Sequence, residues 1–205
     1  MKIRNHKHIF LYAGDIPINN FHYNNNIIGL SLNQNNNRHI KHNILKKHPF
    51  DDNSVDIYQA EDVFEHIDYN SLERVLKDIY RILKVNGLFR LSVPDYRCDV
   101  LYKRSIKDEV GNIIFDEAGG GSYNKDIQKV INGGHVWFPK YELVKYLLER
   151  IPFQKIEFLH YYDEKSIAHC SIIDYSKGYI QRTPDHDERV NNPYRPMSIV
   201  VDCYK

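Results

Sequence analysis

Five places in this chain set proton-transferring or charged side chains beside turn residues, where a fold can present them to a ligand. His135 stands in Gly133-Gly134-His135-Val136-Trp137. An imidazole with an ordinary pKa of about 6.5 accepts a proton near neutrality, and two glycines give it a flexible approach to a bulky ring. His135 is therefore the first candidate for a general base, with a packed or merely hydrogen-bonded histidine as the alternative. Asp95 directly follows Val93-Pro94, where a carboxylate either meets a ligand or caps the next turn. Glu61-Asp62 closes an apolar stretch; paired acids there either face a ligand or complement the positive end of a helix. Glu65-His66 follows, with a helix-surface role as its alternative. Asp185-His186-Asp187-Glu188 has the composition of a metal site, but a solvated loop accounts for it more simply.

Cys98, Cys170 and Cys203 lie far apart and lack the close pairing that metal sites use, so no metal is expected. Their odd, small number and the absence of a signal-like apolar stretch lead to the expectation of a reducing, cytoplasmic setting. The longest apolar runs are only a few residues, too short for membrane insertion. With 28 Lys+Arg against 27 Asp+Glu the formal net charge is +1, so no global field would recruit nucleic acid. Lys2, Arg4 and Lys7 gather at the amino end, which a solvated terminus explains. The tracts Asn24-Asn25-Asn26 and Asn35-Asn36-Asn37 read as polar loops without chemistry.

At 205 residues the chain fits one domain. Short apolar runs bounded by turn residues predict strands at 8–12, 26–32, 38–44 and 55–60. Leu72, Val75, Leu76, Ile79, Tyr80 and Leu83 recur at helical spacing, which predicts an amphipathic helix from Ser71 that stops at Asn86-Gly87. A strand ending at Pro94, a helix over 141–150 and late strands at 156–161 and 198–204 complete the pattern. Strands alternating with helices argue for a mostly parallel sheet with helices on both faces, and late strands without an intervening helix argue for an antiparallel edge strand. Residues 96–139 contain Gly119-Gly120-Gly121 and Gly133-Gly134 and read as a lid or substrate-binding insertion.

The run Pro49-Phe50-Asp51-Asp52-Asn53-Ser54-Val55-Asp56, then Glu61-Asp62-Val63-Phe64-Glu65-His66, then Tyr80-Arg81-Ile82-Leu83-Lys84-Val85-Asn86-Gly87 resembles the middle of small class I S-adenosylmethionine-dependent methyltransferases of the type 11 kind. There the pattern is LPF-x-D-N-S-x-D, V-L-E-H and R-V-L-K-P-G-G. The likeness extends to Val93-Pro94-Asp95, to Gly134-His135-Val136-Trp137-Phe138 and to Arg195–Asp202, nearly the whole chain. It implies an α/β, Rossmann-like class I methyltransferase fold over residues 1–205, with S-adenosylmethionine lying across the carboxyl ends of the first strands.

The resemblance also assigns residues. Tyr12-Ala13-Gly14 stands where the family has its glycine-rich turn, with one glycine fewer and bulk at the first position. Ser31 replaces the acid that accepts both ribose hydroxyls, and Asn43, followed by Ile44, replaces the aspartate at the adenine amino group. Ala60, Glu61 and His66 are then cofactor-binding, with Glu61 and Asp62 at the methionine portion or the acceptor. Methyl transfer needs alignment, plus a base when the acceptor is a hydroxyl, and His135 and Asp95 are the catalytic candidates. Small size with a long insertion resembles relatives associated with surface glycans, implying a small-molecule or glycan acceptor, an O-methyltransferase acting on a sugar hydroxyl, and a glycosyltransferase as working partner. The alternative is a non-catalytic binding or partner domain whose altered turn and Ser31 no longer hold cofactor.

Overall fold

The computed structural model describes residues 8–17, 23 and 26–205. The basic residues Lys2, Arg4 and Lys7, and Asn24-Asn25, lie outside the described residues. In chain order the elements are β1 (Phe10–Ala13), β2 (Ile27–Ser31), β3 (His39–Lys41), β4 (Val55–Glu61), α1 (Tyr69–Ile82), β5 (Leu83–Pro94), α2 (Asp99–Arg104), β6 (Ile106–Lys107), β7 (Ile113–Phe115), β8 (Ser122–Asn124), β9 (Lys129–Ile131), α3 (Tyr141–Glu149), β10 (Lys155–Tyr162), β11 (Ala168–Cys170) and β12 (Ser198–Tyr204).

Eight strands form one sheet in the order β11-β10-β12-β5-β4-β1-β2-β3. From β3 to β5 every pairing is parallel, and all five residues of β2 are buried, as a sheet covered on both sides requires. The antiparallel strand β12 is inserted between β5 and β10, and β11 pairs antiparallel with β10 at the edge. The strand expected at 38–44 shrinks to the three residues of β3.

Helix α1 begins where the Asp68 carboxylate accepts a hydrogen bond from the Asn70 amide at 3.0 Å. It buries Leu72, Val75, Leu76, Ile79 and Ile82, the stripe that the spacing predicts. It stops at Ile82, before the predicted Asn86-Gly87, because Leu83 is already extended and enters β5. Asn86 is left-handed at φ 62° and marks an irregularity in that strand, across which β4 pairs first Val55 with Leu83 and then Ile57 with Leu88.

Both long helices, α1 and α3, pack on the sheet face carrying Leu11, Ala13, Phe89, Leu91, Ile199 and Val201. The β2–β3 connection, residues 32–38, is too short for the crossover helix that a parallel pair usually has. Coil covers the opposite face. Ile16, Tyr23 and Tyr179 lie against Tyr12 and Ile27, while Ile173 and Ile180 lie against Leu159 and Val200. Residues 96–139 leave and rejoin the sheet at one point, where the Tyr96 amide donates to the Pro139 carbonyl at 3.0 Å. They carry α2 and two small two-stranded sheets, β6-β7 and β8-β9.

Candidate active site

A cavity of about 490 Å³ opens at the carboxyl ends of the parallel strands, within the ~300–1,000 Å³ range of small-molecule sites. Ala13 and Gly14 line it after β1, Leu30 and Leu32 at the end of β2, His42 to Leu45 after β3, and Asp62, Val63, His66 and Ile67 after β4. Gly14 adopts φ +103°, a conformation that L side chains rarely take, while its amide donates to the Leu30 carbonyl at 2.9 Å. The turn after β1 therefore needs this glycine.

Four residues expected to border this cavity are placed elsewhere. Tyr12, one position before Ala13, points to the other face by strand alternation; its ring meets Tyr23 edge-on at 5.4 Å. Ser31 is fully buried, and its Oγ accepts hydrogen bonds from the amides of Asn33 and Gln34 at 3.0 and 2.8 Å. It closes the turn after β2, leaving the cavity wall to Leu30 and Leu32. Ala60 is core. Glu61 accepts from the Tyr23 hydroxyl at 2.9 Å and the Gln181 amide at 2.7 Å. Burial, with Asp62 beside it, pushes its carboxyl up to about 7. Asn43 and Ile44 do line the cavity, but the Asn43 side-chain oxygen already accepts from the Leu45 amide at 2.9 Å.

The catalytic candidates occupy a second layer. Asp95 is fully buried; its oxygens accept from the Arg97 and Tyr162 amides at 3.0 and 2.8 Å. It ties the end of β5 to the end of β10, and burial raises its carboxyl to about 6. His135 is only 4% exposed. Its Nδ1 lies 2.5 Å from the Tyr96 hydroxyl, and its ring meets His66 edge-on at 4.8 Å. Burial and the neighbouring His66 lower its pKa to about 3, so the imidazole is neutral and a weak base. Glu65, for which a helix-surface role is the sequence-based alternative, is fully buried with neither carboxylate oxygen hydrogen-bonded among the described residues. The 185–188 cluster is engaged internally, Asp185 by Tyr175 and Tyr194 and Asp187 by Arg189.

Residues 18–91, which contribute the whole cavity wall beyond β1, match a family model described as a methyltransferase domain. Over those residues the chain is similar to the methyltransferase-domain family. A SAM-dependent methyltransferase from Methanosarcina mazei has a similar fold at 10% identity and TM-score 0.53, over 96% of this chain and 92% of that one. Another, from Mesorhizobium loti, is similar at 13% identity and TM-score 0.50, over 97% and 90%. At these identities the likeness is one of fold. No curated protein sequence matches the chain.

S-adenosylmethionine is the cofactor that the resemblance implies, and the cavity suits it in part. His42 Nε2 is buried without a hydrogen-bond partner among the described residues. Burial and the neighbouring His48 lower the His42 pKa to about 4, so the imidazole at the cavity wall is neutral. The Gly14 turn admits close backbone approach. At the end of β2, however, no carboxylate stands for the ribose hydroxyls, and Leu32 occupies the rim. Asp62, on the cavity wall, is left-handed at φ 55° and is held by the Arg182 guanidinium, whose Nε lies 2.9 Å away. His42, Leu32, Arg182 and the burial of Glu65 escape a reading of the sequence. His42, Leu32 and Arg182 sit in no motif, Arg182 reaches Asp62 from a distant stretch of coil, and the motif that holds Glu65 does not tell that its carboxylate is buried.

Proposed function

We propose that this methyltransferase transfers the methyl group to a hydroxyl, with a sugar of a glycan as acceptor. The observation that carries the reading is the position of His66, which lines both the cofactor cavity and a second cavity of about 420 Å³ beneath the insertion. Asp68, Tyr123, Gln128 and Lys129 give that second space hydrogen-bonding groups, and Ile113, Val136 and Phe138 give it apolar surface. This mixture fits a polyhydroxylated ring, whose faces are apolar and whose rim is polar. Residues 96–139 are then the lid that carries acceptor contacts over the carboxyl edge of the sheet.

S-adenosylmethionine, when bound, supplies an electrophilic methyl on a sulfonium. Transfer to a hydroxyl oxygen would break the C–S bond, its electron pair returning to sulfur, and the hydroxyl proton would pass to solvent water. The chain supplies alignment: Ala13 and Gly14 would admit the cofactor, Asn43 and Ile44 would border its adenine, and His66 stands at the junction of the two cavities. Tyr123 and Gln128 orient the acceptor.

The test is calorimetry with S-adenosylmethionine and S-adenosylhomocysteine, followed by transfer of isotopically labelled methyl to matched neutral, amino and acidic oligosaccharides. A methyl ether located by mass spectrometry is the expected product. Labelling confined to amine or carboxylate, or no cofactor binding at millimolar ligand, overturns the reading; the second result would point instead to a non-catalytic partner domain.

A further inference from the structure

Glu65, His66 and His135 converge, although the last is distant in sequence from the other two. One ligand-capable atom from each lies within 4.8 Å of the others. The carboxylate of Glu65 is fully buried, neither oxygen has a hydrogen-bond partner among the described residues, and His135 Nε2 stands 3.7 Å from its Oε1. That separation is too long for a hydrogen bond. An unpaired buried carboxylate is costly unless a cation or a proton neutralises it. Arg182, whose charge reaches Glu65, is engaged by Asp62.

Both imidazoles are held in the tautomer that a metal needs. His66 Nδ1 lies 2.8 Å from the Gly134 carbonyl oxygen, which can only accept, so Nδ1 carries the proton and Nε2 keeps its lone pair. The Tyr96 hydroxyl donates to Asp116 at 2.7 Å. His135 Nδ1–H therefore donates to the Tyr96 oxygen at 2.5 Å, and its Nε2 lone pair faces Glu65. Ligating histidines are ordinarily oriented in this way through their other ring nitrogen. The turn bearing Glu65 is fixed to the same segment as His135: the Val136 amide donates to the Glu65 carbonyl and Trp137 Nε1 to the Phe64 carbonyl, both at 2.8 Å.

We infer that Glu65, His66 and His135 bind one divalent transition-metal ion at the junction of the two cavities. Two imidazoles and a carboxylate suit Zn²⁺, Mn²⁺, Fe²⁺ or Co²⁺ better than Mg²⁺ or Ca²⁺. Metal–ligand bonds of about 2.0–2.2 Å place neighbouring ligand atoms roughly 3–3.5 Å apart. The Glu65–His135 pair is close to that already. His66, exposed on the rim, closes the set by moving inward by roughly an ångström. The remaining coordination positions open where His66 borders both cavities, so an acceptor hydroxyl can occupy one and become more acidic there. That use rests on the proposed hydroxyl methylation; the binding of the ion does not. The cysteine-based expectation of no metal fails to see such a site because it uses no cysteine.

The test is a metal titration of chelator-treated protein without cofactor or acceptor, so that its failure is distinct from failure of methyl transfer. Calorimetry with Zn²⁺ is expected to give one equivalent, and Co²⁺ should develop visible absorption. His66→Ala, a rim substitution that spares the core, and Glu65→Gln should each weaken Zn²⁺ binding by at least ~10- to 100-fold, with circular dichroism confirming the fold. His169→Ala, outside the cluster, should leave it unchanged. Absence of stoichiometric binding in the parent, or parental affinity in folded His66→Ala, overturns the site and assigns the neutralisation of Glu65 to a proton.

Discussion

Arg90 on β5 and Asp202 on β12 are direct cross-strand neighbours, joined by two hydrogen bonds of 2.8 and 2.7 Å with both side chains buried. The remaining Arg90 amino group donates to the carbonyls of Asp174 and Gly178 at 2.9 and 2.7 Å. One guanidinium thus neutralises a buried carboxylate and fastens the coil that stands on this face in place of helices. That coil in turn delivers Gln181 to Glu61 and Arg182 to Asp62, on the strand end that leads into the cofactor cavity.

Replacing Arg90 with leucine is expected to destabilise the protein by about 3–5 kcal/mol, the usual result of stranding a buried charge. The double variant Arg90→Leu/Asp202→Leu should be more stable than Arg90→Leu alone, since no charge is then left unpaired. Urea unfolding measures both. A double variant as unstable as the sum of the two singles would show that the carbonyls of Asp174 and Gly178, and not the ion pair, dominate.

The end of β2 yields a prediction that separates two adjacent positions. Ser31→Asp should not tighten S-adenosylmethionine binding, because a carboxylate there would accept the same Asn33 and Gln34 amides that the hydroxyl serves. Leu32 lines the cavity and is 62% exposed. Leu32→Glu can reach the ribose hydroxyls and should tighten binding by about tenfold, at the lower end of what a charge-assisted hydrogen bond contributes. Calorimetry on the two variants decides. Tightening by Ser31→Asp alone would mean that the turn reorganises around the ligand.

The apolar run of β1 and the stripe of α1 are legible in the sequence because burial demands a run of apolar residues in one and a helical period in the other. Leu72, Val75, Leu76 and Ile79 mark their helix whatever surrounds it. Tyr12 and Ser31 are not legible in the same way. A resemblance assigns positions along the chain, whereas a neighbour in a strand faces the opposite side, and a short hydroxyl after a strand takes whichever amides the next turn offers. Glu65 carries a motif but no sign of its burial, since the single 3₁₀ turn Phe64–His66 is too short to show a period. The coil over 171–190 shows no period either, as its place on the sheet comes from Arg90 and Glu61 together with bonds among its own side chains such as Tyr175 to Asp185.

Glu61 gives a pH dependence whose sign can be worked out. Burial holds its carboxyl at about 7 against an ordinary 4.5, so the folded state binds the proton more tightly than the unfolded one. The associated stability, about 3 kcal/mol, is present below pH 4.5 and is lost as pH rises towards 7. His42 and His135, lowered to about 4 and 3, act in the opposite sense, favouring the fold above pH 6.5 and losing that contribution as pH falls. The difference between parent and Glu61→Gln therefore isolates the carboxyl. Unfolding free energies at several pH values should show the parent losing stability relative to the variant between about pH 4.5 and 7. Parallel profiles would place the Glu61 pKa near its ordinary value.

Gly119 tests whether the position of His135 matters to turnover. A Cβ at Gly119 would lie 2.7 Å from the His135 Cγ and 2.8 Å from its Nδ1, so Gly119→Ala must displace the imidazole or the Gly119 backbone. Gly119 lines no part of the cofactor cavity, and affinity for S-adenosylhomocysteine should stay within about threefold of the parent, well under 1 kcal/mol. Overpacking should cost about 1–3 kcal/mol of stability. Methyl transfer to the hydroxyl acceptor should fall by at least tenfold, because an ångström of misplacement at a reacting centre is enough to cost that much. Single-turnover kinetics with saturating cofactor separates these effects. If the variant turns over at the parental rate while the ring is shown to have moved, His135 contributes packing alone, and the work of handling the hydroxyl proton falls to His66.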